Sequence, residues 1–303
     1  MATSAVVSAQ PVSHLRETLE RDGFVLIPNV LSPSDLALLR EACHKLTDLA
    51  RAGEWPYIRT LPKQFPPWSD DASSGIWGVQ HLLHPAQLDK QLFASSYFSS
   101  VILSTVAEIL ECDINDLVME LYNLLVRPDR DFALRWHRDD IGPGVAPEEE
   151  ERILKEPIVH AQWNMALYND ASLIVVPGSH MRARTDVERA ADPFEDNLKG
   201  QQVVEMRAGD VVFYNNNILH RGVYKPDIER MTLHGSMGMV GGDRARARNV
   251  LQHGIGSWVQ QCDFSGLGGE AAGQDCSVVA ERMKQALVKM GSGETVGFSQ
   301  SDD

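Results

Sequence analysis

The stretch Ala208-Gly209-Asp210-Val211-Val212-Phe213-Tyr214-Asn215-Asn216-Asn217-Ile218-Leu219-His220-Arg221-Gly222 carries a fold signal and a chemical one together. Ala208-Gly209-Asp210 is a sharp turn, and Val211–Tyr214 is an apolar run of the length of a short buried strand. His220 follows that strand. Working outward, residues 117–127, 134–137, 158–167, 172–176, 202–206 and Met231–Met239 are further short strand candidates, separated by turns such as Pro177-Gly178. Many short strands at close spacing predict a mainly β protein, a sandwich or jelly roll.

Helices flank this region. Residues 14–22 form a short amphipathic pattern that Gly23 stops, and 24–27 is a short buried strand. Ser32 is a good N-cap, Pro33 suits the first helical position, and Asp35 lies where the helix dipole favours an acid. Leu36, Leu39, Ala42, Leu46 and Leu49 continue that helix until Gly53. Residues 59–74 read as a loop, 97–110 as a second helix and 277–290 as a C-terminal helix before a polar tail. Residues 142–156, with Gly142-Pro143-Gly144 and the acids Glu148 to Glu151, read as an exposed insertion or lid. The resulting division is a flexible start (1–12), one domain (13–260; helical to about 116, jelly-roll core 117–240) and a C-terminal helix and tail (261–303).

Among 303 residues, 42 acids oppose 28 bases, a net charge of −14. Such a surface repels nucleic acid and anionic lipid. The short basic run Arg244, Arg246 and Arg248 reads as a solvated loop. No apolar run approaches the ~20 residues of a membrane span, and the first ten residues lack the basic region of a signal peptide. Cys43, Cys112, Cys262 and Cys276 are too widely spaced for a zinc pattern and read as reduced thiols, which places the chain in the cytoplasm. The composition is compatible with a monomer or a homodimer.

Arg135-Trp136-His137-Arg138-Asp139-Asp140 contains the only His-x-Asp of the chain. On a strand, residues two apart share a face, so His137 and Asp139 can reach one ion. Alone, the tripeptide is expected about once by chance in such a chain, and a surface salt-bridged pair is the plainer reading. The context changes the balance. His220 lies 83 residues further on, far enough to return on another strand and complete a two-histidine, one-carboxylate facial triad for iron(II). Arg230 follows ten residues later, and a guanidinium there can bind a carboxylate in bidentate fashion. Thr232 shares its strand face and offers a hydroxyl. Asp140 points the other way. His180 belongs to a turn. His160, Gln162 and Asn164 share one face, and His234 lies on the face of Arg230; each is a pocket residue or a hydrogen-bonded core residue. Phe65, Trp77 and Tyr122 are candidates for a substrate wall or for the core.

The motifs DGFVLIPNVLS (22–32), WHRDD (136–140), VVPGSH (175–180) and AGDVVFYNNNILHRG (208–222), followed by Arg230, resemble the phytanoyl-CoA dioxygenase family of iron(II)- and 2-oxoglutarate-dependent oxygenases. The resemblance implies a double-stranded β-helix, a cupin-like jelly roll, with helices packed outside. It implies iron(II) on His137, Asp139 and His220, O2 as oxidant, and 2-oxoglutarate held through its far carboxylate by Arg230, with Trp163 near the cosubstrate. Two departures stand out. Asn169-Asp170-Ala171-Ser172 lacks the Asn-Gly pair usual before the Pro-Gly-Ser-His turn. Gly222 replaces a small hydroxyl residue, a role that falls to Thr232. Related halogenases lack the carboxylate that Asp139 supplies, so oxygen chemistry is implied. The substrate is expected to be a small or medium neutral metabolite, since the acidic chain disfavours acyl-CoA. Hydroxylation, desaturation, epoxidation, ring closure and demethylation are all open to such a site. A non-catalytic jelly-roll binding protein would have a broken triad or no Arg230; here all four residues are present.

Overall fold

The computed structural model describes residues 15–293 together with Val296; the expected flexible start (1–12) and most of the tail lie outside them. Helix α1 (Leu15–Asp22) ends at Gly23, whose φ of 84° and close approach to the His180 ring leave no room for a Cβ. Strand β1 (Phe24–Ile27) follows, then α2 (Pro33–Arg51), where the Asp35 amide donates to the Ser32 side chain at 3.1 Å. The region that read as a loop begins in a strand, β2 (Ile58–Thr60), which pairs with β3 (Ile76–Val79). The expected helix 97–110 is α4 (Ser100–Ile109), which starts after the extended Ser99; a separate helix, α3 (Lys90–Tyr97), precedes it. The N-terminal part is therefore not purely helical: β1, β2 and β3 all join the main sheet.

Strand β4 (Leu117–Val126) opens the core, and β5 (Phe132–Ala133) follows. Residues 134–137 are not a strand; His137 makes only an isolated bridge. After α5 (Pro147–Leu154) come β6 (His160–Ala166), β7 (Leu173–Val176), the short α6 (Asp186–Ala190), β8 (Gln202–Val203), β9 (Val211–Tyr214), β10 (Leu219–Tyr224) and β11 (Met231–Met239). Helix α7 (Arg244–Gln252), the hairpin β12 (Glu270–Ala271) and β13 (Gln274–Asp275), and α8 (Cys276–Met290) complete the described chain. The basic run of arginines is thus helical rather than a loop. Strand β10, whose His-Arg-Gly centre reads as polar, was not expected.

Seven strands form one antiparallel sheet in the order β1-β9-β6-β11-β4-β3-β2, and four form the other, β5-β10-β7-β8. The sheets pack through a buried cluster in which Ala166, Val212 and Tyr214 from the first meet Leu173 and Val175 from the second. This is a mainly β jelly roll. On the outer face of the large sheet, residues of α2, α3, α4 and α8 share one core cluster with Leu124, Met165, Phe213, Leu233 and Met237. No single described helix is long and apolar enough to cross a membrane; α3 and α4 together would pass only as a bent pair, and both are largely buried in this core.

Candidate metal centre

The site lies between the sheets. His137 and His220 are cross-strand partners: each donates its amide to the other's carbonyl at 3.0 Å, so both side chains leave the same face. Their ring centroids are 4.2 Å apart. Each Nδ1 is bound to a backbone carbonyl two residues back, His137 to Arg135 at 2.8 Å and His220 to Ile218 at 2.9 Å. That fixes both tautomers with the proton on Nδ1 and leaves both Nε2 atoms as acceptors aimed inward. Asp139 Oδ1 lies 3.4 Å from His137 Nε2 and 3.7 Å from His220 Nε2. All three ligand atoms lie within 4.8 Å of one another, and among the described residues no other cluster of three such side chains does so.

Burial pushes His220 down to about 4, and the His137 ring adds to the shift, so the imidazole is neutral as a metal ligand must be. Burial pushes the Asp139 carboxyl up, and a 2.8 Å hydrogen bond from Gln162 to its outer oxygen opposes this and favours the carboxylate. Arg138, between the two ligands, points the opposite way and is fully buried. It donates to Glu150 at 2.7 Å and to the carbonyls of Ser179 and Arg182 at 3.0 Å, and also bonds that of Asn217. The ligand loop is therefore pinned from behind. Asp140 bonds Asn216 but also lines the cavity beside the triad, rather than pointing away from it.

The Glu150 anchor was not foreseen. It sits within the acidic run expected to be exposed, yet it is completely buried on α5, bound by Arg138, by Arg184 at 3.0 Å and by Arg189. The insertion is thus clamped to the metal loop rather than free.

A cavity of about 840 Å³ opens at the triad, within the size range of small-molecule sites. At its arginine end, Arg230 is 5% exposed, its Nη1 is buried without a partner, and its Nε donates to Asp170 at 2.9 Å. Asp170 also accepts from the Thr232 hydroxyl at 2.8 Å and the Ser172 amide at 2.7 Å. Burial pushes Asp170 up, but Arg230 and these donors prevail and keep it ionised. The segment that departs from the family pattern therefore supplies the carboxylate that orients Arg230.

Two expectations are corrected. Thr232 does not line the cavity; its hydroxyl is committed to Asp170, which also holds Arg230. The space left by Gly222 is filled instead by Tyr224, whose phenol oxygen lies 2.1 Å from where a Cβ at 222 would stand. Trp163 is not in the pocket either. It is fully buried in the outer core, 5.5 Å from the Tyr97 ring and 5.7 Å from Phe213, and its indole lies over its cross-strand partner Gly235. Strand alternation explains this, since Gln162 and Asn164 on either side face the cavity. His160, His234, Phe65 and Trp77 line the cavity as well, with His234 bonded to Asn164 at 2.9 Å; Tyr122 does not, and bonds Ser96 in the core.

A jelly roll with two histidines and one carboxylate converging between its sheets defines the cupin-like class. The chain belongs to the phytanoyl-CoA dioxygenase (PhyH) family, whose family model matches residues 19–223. No curated protein matches the sequence. Among solved structures, AviO1 from Streptomyces viridochromogenes Tue57 aligns with a TM-score of 0.54 at 18% identity, over 77% of this chain and 96% of that one. EctD from S. alaskensis, crystallised with 2-oxoglutarate and 5-hydroxyectoine, aligns with a TM-score of 0.53 at 19% identity, over 80% of each chain. SnoN, a non-heme alpha ketoglutarate dependent epimerase from nogalamycin biosynthesis, aligns at 0.50 and 16% identity, over 76% and 83%. At such identities the likeness establishes the fold.

Proposed function

We propose that the chain is an iron(II)- and 2-oxoglutarate-dependent oxygenase that oxidises an unactivated C–H bond of a small organic metabolite. The observation that carries this reading is the triad, with both Nδ1 atoms committed to carbonyls and both Nε2 atoms facing Asp139. Two imidazoles and one carboxylate suit iron(II) and leave coordination positions free. His137, Asp139 and His220 would hold the ion. When bound, it would supply oxygen activation coupled to decarboxylation of 2-oxoglutarate to succinate and CO2.

The chain's own residues supply position and environment. Gln162 holds the outer oxygen of Asp139, which keeps the other oxygen directed at the imidazoles. Arg230, oriented by Asp170, offers its free Nη1 to the far carboxylate of the cosubstrate, and the Tyr224 ring covers the guanidinium at 4.2 Å. Phe65, Trp77 and Leu134 form an apolar wall that excludes water from the reacting bond. Hydroxylation is the simplest outcome; desaturation, epoxidation, ring closure or demethylation would follow from how the substrate lies on that wall. Likeness to SnoN, an enzyme of nogalamycin biosynthesis, supports a secondary-metabolism substrate, and four free cysteines support a cytoplasmic setting. The test is a metabolite screen scored by succinate released above the substrate-free background, in step with oxidised product. Signal that persists in Asp139→Ala would refute the assignment.

A further inference from the structure

Three arginines line the cavity, and two have carboxylate partners: Arg246 is bound by Glu120 at 2.7 Å and Arg230 by Asp170 at 2.9 Å. Arg59 has no ion-pair partner among the described residues, and its Nε is buried without a hydrogen bond. The sheet determines where it points. Arg59 pairs with Gly78, Gly78 with Leu125, and Leu125 with Thr232. Directly opposed residues share a face, so Arg59 projects on the face of Thr232 and Arg230, toward the cavity. Gly78 makes this possible: a Cβ there would stand 2.9 Å from Arg59 Cδ, so the arginine stem crosses the sheet through the space a side chain would occupy.

The guanidinium carbon lies 5.0 Å from the Trp68 ring and 5.1 Å from Trp77. These indoles stabilise the cation without neutralising it. Arg59 is half-buried; its removal from water draws it down to about 10, although Tyr224, Tyr214 and Asp139 favour the charged form. Phe65 lines the same cavity, and its ring is 5.6 Å from that of His137. One cavity thus holds a guanidinium without an ion-pair partner, an aromatic surface and the triad.

We propose that Arg59 binds the carboxylate of the substrate, so that the molecule oxidised is a small monocarboxylic acid whose apolar part lies on Phe65. This rests on the oxygenase reading above and replaces the neutral substrate expected from the sequence. One guanidinium balances one negative charge; a phosphate dianion would remain undercompensated beside Asp139 and Asp140. The cosubstrate does not need Arg59, because Arg230 keeps a free donor for it.

The test uses phenylacetate and its uncharged isostere phenylacetamide as probes, titrated without oxygen into protein saturated with iron(II) and 2-oxoglutarate. Tryptophan fluorescence is the readout, since Trp68 and Trp77 flank Arg59. Phenylacetate is expected to bind at least about tenfold more tightly than the amide, a preference that Arg59→Gln abolishes while 2-oxoglutarate affinity stays within about twofold. Equal binding of acid and amide, no saturable phenylacetate signal at millimolar concentration, or an undiminished preference in Arg59→Gln would overturn the proposal. So would a tenfold loss of 2-oxoglutarate affinity in Arg59→Gln that Arg230→Gln does not show, which would make Arg59 the cosubstrate anchor. Repeating the titration on metal-free protein separates this proposal from the oxygenase reading: the acid preference survives there even if iron binding fails.

Discussion

Strands β6 and β11 have two faces with opposite characters. On the inner face, Gln162, Asn164, Arg230, His234 and Ser236 line the cavity, where Gln162 bonds Asp139, Arg230 bonds Asp170 and His234 bonds Asn164. On the outer face, Trp163, Met165, Leu233 and Met237 are at most 1% exposed and pack under the helices. The same backbone therefore serves the chemistry with one set of alternate residues and stability with the other. A shift of a single position moves a residue from one role to the other.

Substitutions on the two faces should separate these roles. The largest effect belongs to the inner side. Asp139→Ala removes a ligand but opens no core cavity, so turnover should fall by at least about a thousandfold with the melting temperature nearly unchanged; succinate release and calorimetry on the same sample check this. Comparable loss of activity and fold would erase the distinction. Trp163→Ala should do the reverse, costing about 3–5 kcal/mol in denaturant titration while the folded protein keeps its affinity for 2-oxoglutarate. A tenfold weaker cosubstrate affinity there would return Trp163 to the site. Arg230→Gln should raise the KM for 2-oxoglutarate by about ten- to a hundredfold, with a smaller rise in Asp170→Asn, whose effect is only to release the arginine. Thr232→Val is the mildest case: about 1 kcal/mol of stability for the lost hydrogen bond to Asp170 and no more than about a twofold change in that KM.

Much of the inner face was legible because local rules suffice there. Val211–Tyr214 and Met231–Met239 occur at the expected bounds, and the Ser32–Pro33 helix start is capped as its residues predict. The grouping of His137, Asp139 and His220 was visible as an i, i+2 pair plus a distant histidine. What escaped depends on partners far away in the chain. Trp163 was assigned to the cosubstrate by likeness, whereas alternation with Gln162 and the bare Gly235 opposite send it to the core. Glu150 lies in a run of four acids that reads as solvated, and only Arg138, Arg184 and Arg189 together offset its burial. Arg59 was lost in a stretch rich in Pro, Asp and Ser because β2 is three residues long and acquires its meaning from β3 and β4. Strand β10 was hidden by the polar residues that make it useful.

The most direct measurement is an anaerobic titration of iron(II) and then 2-oxoglutarate, followed by visible absorption. A weak charge-transfer band should grow to one equivalent of each in the unaltered protein and be absent in His220→Ala, with the fold of that variant intact by circular dichroism. A band of full strength in His220→Ala, or none in the unaltered protein, would contradict convergence of the three side chains on one iron.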